Sequence, residues 1–483
     1  MNGPIRRVAV GVFVCMSLLL AGVTWYQVVR ADALREDQRN PRPALSERGK
    51  ERGLIVTADG TILARSVEDP EDPRSFVREY PEGPYFAHLV GYTSFLFGSS
   101  GLESAYASDL RSRRDLTISD LVEALLGRDL RPSSIEATVD ADLQRAALDA
   151  LGNNRGAVVA LDPSTGAVLA SVSSPSYDPS LFLGDDAAEQ WEILRDDPTR
   201  PLLDRGTREI YPPGSTFKTV VAAAALDTGA AEPGTTFNDP VEFQLPGSNA
   251  TISNANGRPC NNGETATLLE AFVRSCNTIF ADLSIQVGAV DIGITADAMG
   301  FNQDIDYEWE IPRAVWNTEE LAQDPAALGQ SGIGDRDVRA TPLHMAMVAA
   351  TVANDGVAVT PYAVGRIFDA DGGTVEETEV TELGRAMSSE TALTLTQMME
   401  RVVTEGTGRQ AAVPGVRVAG KTGTSTGSGE FPNPWFIGFA PVDNPTIAIA
   451  VLIEGSEASG ESASGGSVSA PIASRLFELW LSG

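Results

Sequence analysis

Histidine is almost missing from these 483 residues: only His88 and His344 occur. A histidine-rich metal centre is therefore not expected. Cysteine is nearly as rare. Cys15, Cys260 and Cys276 are the three present, and their spacing fits no multi-cysteine metal site. No metal or other cofactor is expected. Basic residues are also in short supply, 36 Lys and Arg against 66 Asp and Glu, for a formal net charge of −30. A chain this acidic lacks the basic patch of a nucleic-acid binder. The excess acid reads as a solvated surface.

What remains is globular in balance, with 42% hydrophobic and 21% charged residues. The length exceeds one ordinary core and implies two or three domains. Residues 8–29 carry no charge. At helical rise they span about 33 Å, enough for a hydrocarbon core. Arg6 and Arg7 precede the run, and Trp25 and Tyr26 stand near its far end, where interfacial aromatics belong. The positive-inside rule places residues 1–7 in the cytoplasm and residues 30–483 outside, as a single-pass membrane protein. Ala31-Asp32-Ala33 resembles a signal-peptidase site, so a cleaved signal peptide is the competing reading. The run is longer than a usual signal core, which favours an anchor.

Residues 30–138 are polar and proline-dotted, and read as a small stalk or dimerisation-like module. Gly53 to Leu63, with Asp59-Gly60 in the middle, is expected to be a hairpin. The main body is expected over 139–483. Residues 141–151 have the spacing of an amphipathic helix. Residues 157–161 and 167–170 flank a turn and read as strands, as do 435–440 and 446–453. Helices are expected at 219–228, 265–288, 341–353 and about 470–480, and a flexible Gly/Ser loop at 455–467. Strands at both ends with helices between predict an α/β (α+β) domain on an antiparallel sheet. Cys260 and Cys276 are left as the body's only pair, either bridged or free, since sequence alone does not bring their Cα atoms together.

Three short motifs carry the chemistry. In Tyr211-Pro212-Pro213-Gly214-Ser215-Thr216-Phe217-Lys218, a rigid turn delivers Ser215 to a helix N-terminus. Lys218 follows three residues later, on the same helical face. A serine hydroxyl needs a base to take its proton, and a lysine serves only when burial or a nearby cation lowers its pKa. Alone, this pattern is weak evidence and more readily describes a capping serine and a solvated lysine. The second motif is Ser275-Cys276-Asn277, two polar residues interrupting an apolar helical pattern. The third is Lys421-Thr422-Gly423-Thr424, where glycine admits a close backbone and Lys421 offers charge to a carboxylate. An edge strand with a protective lysine would read the same. Together, in the order S-x-x-K, S-x-N, K-T-G-T, the three form a specific set.

With these motifs the chain resembles the class B penicillin-binding proteins, most closely the short penicillin-binding protein A type of actinobacteria. The likeness extends through Tyr80-Pro81-Glu82-Gly83, Gly101-Leu102-Glu103, Ala340-Thr341-Pro342-Leu343, Asn354-Asp355-Gly356 and Trp435-Phe436-Ile437-Gly438-Phe439. It implies a penicillin-binding/serine β-lactamase-like fold and a peptidoglycan D,D-transpeptidase. By resemblance, Ser215 attacks the carbonyl between two terminal D-alanines and Lys218 shuttles its proton. Ser275 and Asn277 extend the relay and hold the substrate amide. Lys421, Thr422 and Thr424 bind the terminal carboxylate, with Gly423 between them. Backbone N–H groups of Ser215 and Thr424 form the oxyanion hole. The implied partners are stem peptides, β-lactams, the membrane, a membrane glycosyltransferase and division or elongation proteins. Residues 30–138 are too few for a glycosyltransferase domain of the chain's own. A non-catalytic scaffold and a serine β-lactamase are the alternatives carried alongside.

Overall fold

The structure, a computed structural model, describes residues 2–26, 30, 49–70, 72–73, 75–111, 131–261, 263–426, 431–457, 460 and 462–482. The chain divides into two compact units, Met1–Glu51 with Val67–Val77, and Arg52–Ser66 with Arg78–Gly483.

In the first unit, α1 (Asn2–Thr24) is largely apolar over Gly3–Thr24. Its side chains are exposed. Length and composition suit it to cross a membrane. The helix starts earlier than the expected run and takes in Arg6 and Arg7. Residues 27–29 of that run, and Ala31-Asp32-Ala33, lie outside the described residues.

Two multi-stranded sheets organise the second unit, beside several two-stranded ones. The smaller by residue count, with short strands, includes β1 (Ile55–Thr57), β2 (Ile62–Glu68) and β3 (Ser134–Ala137). The expected hairpin is present, with Ile55 opposite Ala64 and Val56 opposite Ile62. β3 runs parallel to β1. A carboxylate fixes this region. Glu103 is fully buried, 2.6 Å from Arg78 Nε and 2.7 Å from Arg52 Nη2. Burial pushes its pKa up, but the two guanidinium charges outweigh that and bring it below the usual range.

The larger sheet follows α2 (Ala141–Leu151), whose Asp140 side chain caps it by accepting from Leu143 N. Its strands are β4 (Gly156–Leu161) and β5 (Val168–Ser174), joined late in the chain by three more. The intervening sequence supplies several helices, among them α3 (Lys218–Asp227), α4 (Leu268–Arg274), α5 (Asn277–Val287) and α6 (Pro342–Ala353). Next, β6 (Val364–Phe368) and β7 (Thr374–Glu377) return to the smaller sheet, β6 lying antiparallel to β3. No local signal marked that return. After α7 (Ser389–Thr404) come β8 (Ala419–Thr426), β9 (Pro432–Ala440), β10 (Ile447–Ile453) and the closing helix α8 (Ala470–Ser482).

The five strands run β8-β9-β10-β4-β5, antiparallel throughout. Both faces are covered, which is why β10 reads as one apolar run rather than as alternation. Ala448, Ala450 and Leu452 face a core shared with α3, α5 and α6. Ile447, Ile449, Val451 and Ile453 face one shared with α2 and α8. This sandwich positions β8 as an edge strand beside the helical region.

Two expectations fail locally. The helix expected over 265–288 is interrupted at Ser275, and its first three residues form a strand, Thr265–Thr267. In the Gly/Ser stretch, Gly465–Ser469 forms a helical turn capped by Ser464, because serine hydroxyls there bond neighbouring backbone. Residues 458, 459 and 461 of that stretch lie outside the described residues.

Candidate active site

Two prolines set the φ angles of the turn before Ser215. Three hydrogen bonds then fix it from outside and within. Trp435 Nε1 donates to Pro212 O at 3.0 Å, Thr216 Oγ1 to Pro213 O at 2.7 Å, and Gly214 N to Gly334 O at 2.9 Å. Gly214 has φ +55°, and a Cβ there would sit 2.8 Å from Thr424 O, so only glycine fits. Ser215 lies in a short 3-10 turn, Gly214–Phe217, that runs into α3 at Lys218.

Lys218 is fully buried. Its Nζ donates to Ser275 O (2.8 Å) and Asn277 Oδ1 (2.7 Å), with Ser275 Oγ at 3.5 Å. Among the described residues, no hydrogen bond joins it to Ser215 Oγ. The amine is parked on the S-x-N motif, as resting sites often leave catalytic contacts long.

Ser275 owes its place to a backbone break. It ends α4 at φ 62°, ψ 43°, a left-handed conformation uncommon for a non-glycine residue. That reversal aims the side chain inward, and α5 restarts at Asn277. The restart is capped from afar: Asn254 Oδ1 accepts from Asn277 N at 2.7 Å and Thr278 N at 3.2 Å. Asn277 Nδ2 donates to Ser253 O at 3.1 Å. A disulfide joins Cys276 to Cys260, with Cα atoms 5.8 Å apart. It ties the same loop to the same motif.

Lys421, on β8, is fully buried as well. It is the lysine expected to offer its charge to a ligand carboxylate. Its Nζ donates to Ser275 Oγ at 2.8 Å and Thr422 O at 2.9 Å. Gly423 does permit a close approach, but to the protein's own turn. A Cβ there would lie 2.9 Å from Pro213 O and 2.9 Å from Thr216 Cγ2. Thr422 Oγ1 bonds Thr407 Oγ1, and Thr424 Oγ1 accepts from Gly465 N at 3.3 Å.

The three motifs therefore converge. Ser215, Ser275, Asn277, Thr422, Gly423 and Thr424 line one cleft of about 1020 Å³. Lys218 and Lys421 sit behind that wall. Burial first, then the Lys421 charge, hold the Lys218 amine well below the ordinary lysine range, while Asp335 opposes the shift. Burial lowers Lys421 to about 7. Burial raises Asp335 to about 6, against the pull of Lys218 and Arg339. A lysine of lowered pKa on the same turn as a serine at a helix start suits an acyl-transfer nucleophile.

Asn254 and Asp335 were not singled out from sequence. Asn254 caps a helix 23 positions away, so no local pattern marks it. Asp335 had a faint signal, a carboxylate after Gly332-Ile333-Gly334 in a largely apolar stretch.

The known proteins fit this geometry. Residues 156–478 match the penicillin binding protein transpeptidase domain. The chain belongs to that family. Residues 52–135 of this penicillin-binding protein match the penicillin binding protein A dimerisation domain. It is 43% identical to the peptidoglycan D,D-transpeptidase PbpA of Mycolicibacterium smegmatis, over 98% of this chain and 97% of that one. The PbpA of Mycobacterium tuberculosis is 40% identical over 100% of both. Among solved structures, the penicillin G acyl-enzyme complex of M. tuberculosis penicillin-binding protein A superposes with TM-score 0.81 at 37% identity, covering 89% of this chain and 100% of that one. The D,D-transpeptidase domain of a peptidoglycan glycosyltransferase from Eggerthella lenta gives 0.78 at 34% identity, covering 90% and 98%.

Proposed function

We propose that this protein is a membrane-anchored serine D,D-transpeptidase that cross-links peptidoglycan stem peptides through an acyl-enzyme on Ser215. One observation carries the reading: a buried lysine, its pKa pulled down by burial and by Lys421, shares the Ser275 hydroxyl with that second lysine behind the cleft that Ser215 lines.

Neutral Lys218 takes the Ser215 proton, directly or through Ser275 Oγ. Ser215 Oγ attacks the carbonyl between the two terminal D-alanines, and the departing D-alanine receives the proton. Backbone N–H groups of Ser215 and Thr424 receive the oxyanion, where oriented donors stabilise the transition state most. Asn277 holds the substrate amide. Thr422 and Thr424 take the terminal carboxylate, and Lys421 adds positive potential from behind the strand. An amine from a second stem peptide then displaces Ser215 and leaves the cross-link. Penicillins enter as mimics of the D-alanyl-D-alanine end.

The membrane orientation follows from Arg6 and Arg7: residues 1–7 inside, 8–29 across, and the stalk (30–138) and catalytic region (139–483) outside. The partner that supplies glycan strands is a membrane glycosyltransferase, within a division or elongation assembly.

The test is intact mass of the full chain with penicillin over time, beside Ser215→Ala. A lasting adduct on the wild type alone supports the transpeptidase. An adduct that vanishes in seconds points to a β-lactamase. No adduct on folded protein points to a scaffold.

A further inference from the structure

A transpeptidase has two substrates, and nothing described so far receives the second. The acceptor is an amine. At neutral pH it arrives as an ammonium, with no lone pair to attack the acyl carbon.

Three carboxylates line the cleft: Glu270, Asp335 and Glu405. Two are committed. Glu270 accepts from Thr267 N at 2.8 Å and Asn261 Nδ2 at 2.9 Å. Glu405 pairs with Arg401. Asp335 differs. Among the described residues, its Oδ1 is buried with no hydrogen-bond partner. The guanidinium of Arg339 spends its Nη1 on the carbonyls of Arg336 and Val338. A buried oxygen without a donor costs free energy, and such an atom calls for an explanation in a ligand or a catalytic role. Its position supplies one. Asp335 follows Gly334, whose carbonyl binds the turn that carries Ser215, and both Asp335 and Ser215 face the cleft.

We propose that Asp335 binds the ammonium of the acceptor stem peptide and takes its proton. The assignment rests on the transpeptidase reading above. The ammonium gives one proton to the Asp335 carboxylate. The freed lone pair forms the C–N bond to the acyl carbon, and the carbonyl π pair moves to oxygen. As that pair returns, the ester bond from carbon to Ser215 Oγ breaks. The nitrogen's second proton passes through Lys218 to Ser215 Oγ, its third stays on the new amide, and Asp335 releases its proton to water. A carboxylate in this role acts as a general base, taking a proton as the new bond forms.

The test uses the full chain in detergent with a D-alanyl thioester donor. Water and an added amine compete for one acyl-enzyme, so the ratio of aminolysis to hydrolysis does not depend on how fast that intermediate forms. Two acceptors separate the effects: D-alaninamide, largely an ammonium at neutral pH, and hydroxylamine, largely uncharged there. For Asp335→Asn the ratio is expected to fall about tenfold or more with D-alaninamide and less than about twofold with hydroxylamine. Asp335→Glu, which keeps the charge, is expected to fall between wild type and Asp335→Asn. An unchanged ratio with D-alaninamide, or equal losses with both acceptors, overturns the assignment while leaving the transpeptidase reading intact. A wild type that forms no acyl-enzyme with penicillin overturns both.

Discussion

Lys218 and Lys421 converge on one hydroxyl: their Nζ atoms lie 3.5 and 2.8 Å from Ser275 Oγ. Two buried amines this close cannot both carry charge at low cost, and they titrate as a pair. Burial and the Lys421 charge keep Lys218 well below its ordinary range, and burial brings Lys421 to about 7. Acylation by penicillin is expected to fall as pH drops below about 7 and the pair takes up protons. Lys421→Gln removes the neighbouring charge, so Lys218 binds its proton more tightly. The pH–rate profile of the remaining acylation should move to higher pH. A profile that stays in place would disprove the coupling.

Asn254 is expected to matter as much as its position is inconspicuous. It satisfies two backbone N–H groups at the restart of α5. Asn254→Ala should cost about 1–2 kcal/mol of stability, as other lost caps do. Because Asn277 then loses its anchor, acylation should slow about tenfold. Thermal melting and the acylation rate, measured on one preparation, check both.

Glu103 sits between two guanidiniums with no exposure to solvent. Glu103→Ala leaves Arg52 and Arg78 without that charge, and is expected to destabilise by about 3–5 kcal/mol. Denaturant unfolding reads this directly. A loss under about 1 kcal/mol would mean that the pair is replaceable by water.

His344 gives the acid limit. It is buried, its Nδ1 contacts Thr341 Oγ1 at 2.8 Å, and its Nε2 has no partner among the described residues. Burial lowers its pKa from 6.5 to about 4. The folded state thus binds fewer protons than the unfolded chain. Stability is complete above 6.5 and falls as pH drops towards about 4, a loss of about 3 kcal/mol. Wild type and His344→Leu, melted across this range, should differ in slope. The variant is the flatter one.

What was legible in the sequence had short-range causes. Lys218 is near Ser215 because three residues make most of a helical turn. The run Ile447–Ile453 is a strand because apolar residues with β-branching fill a site covered on both faces. The closing helix, expected at about 470–480, spans Ala470–Ser482. The break at Ser275 was not legible. Its side chain and carbonyl meet Lys421, 146 residues on, and Lys218, partners that a helical pattern on both sides does not announce. The inward turn of Lys421 was likewise set by a partner distant in sequence. One lysine between two glycines on an edge strand gave no hint of which face the lysine would take.

The strand Val364–Phe368 leaves the catalytic stretch, lies against Ser134–Ala137, and returns. Genes for modular enzymes are often recombined at a single crossover between modules. Here one crossover near residue 138 would give every chimera a foreign strand in its N-terminal sheet. Exchange of catalytic halves between relatives therefore needs two junctions, or compensating changes on both sides of that seam.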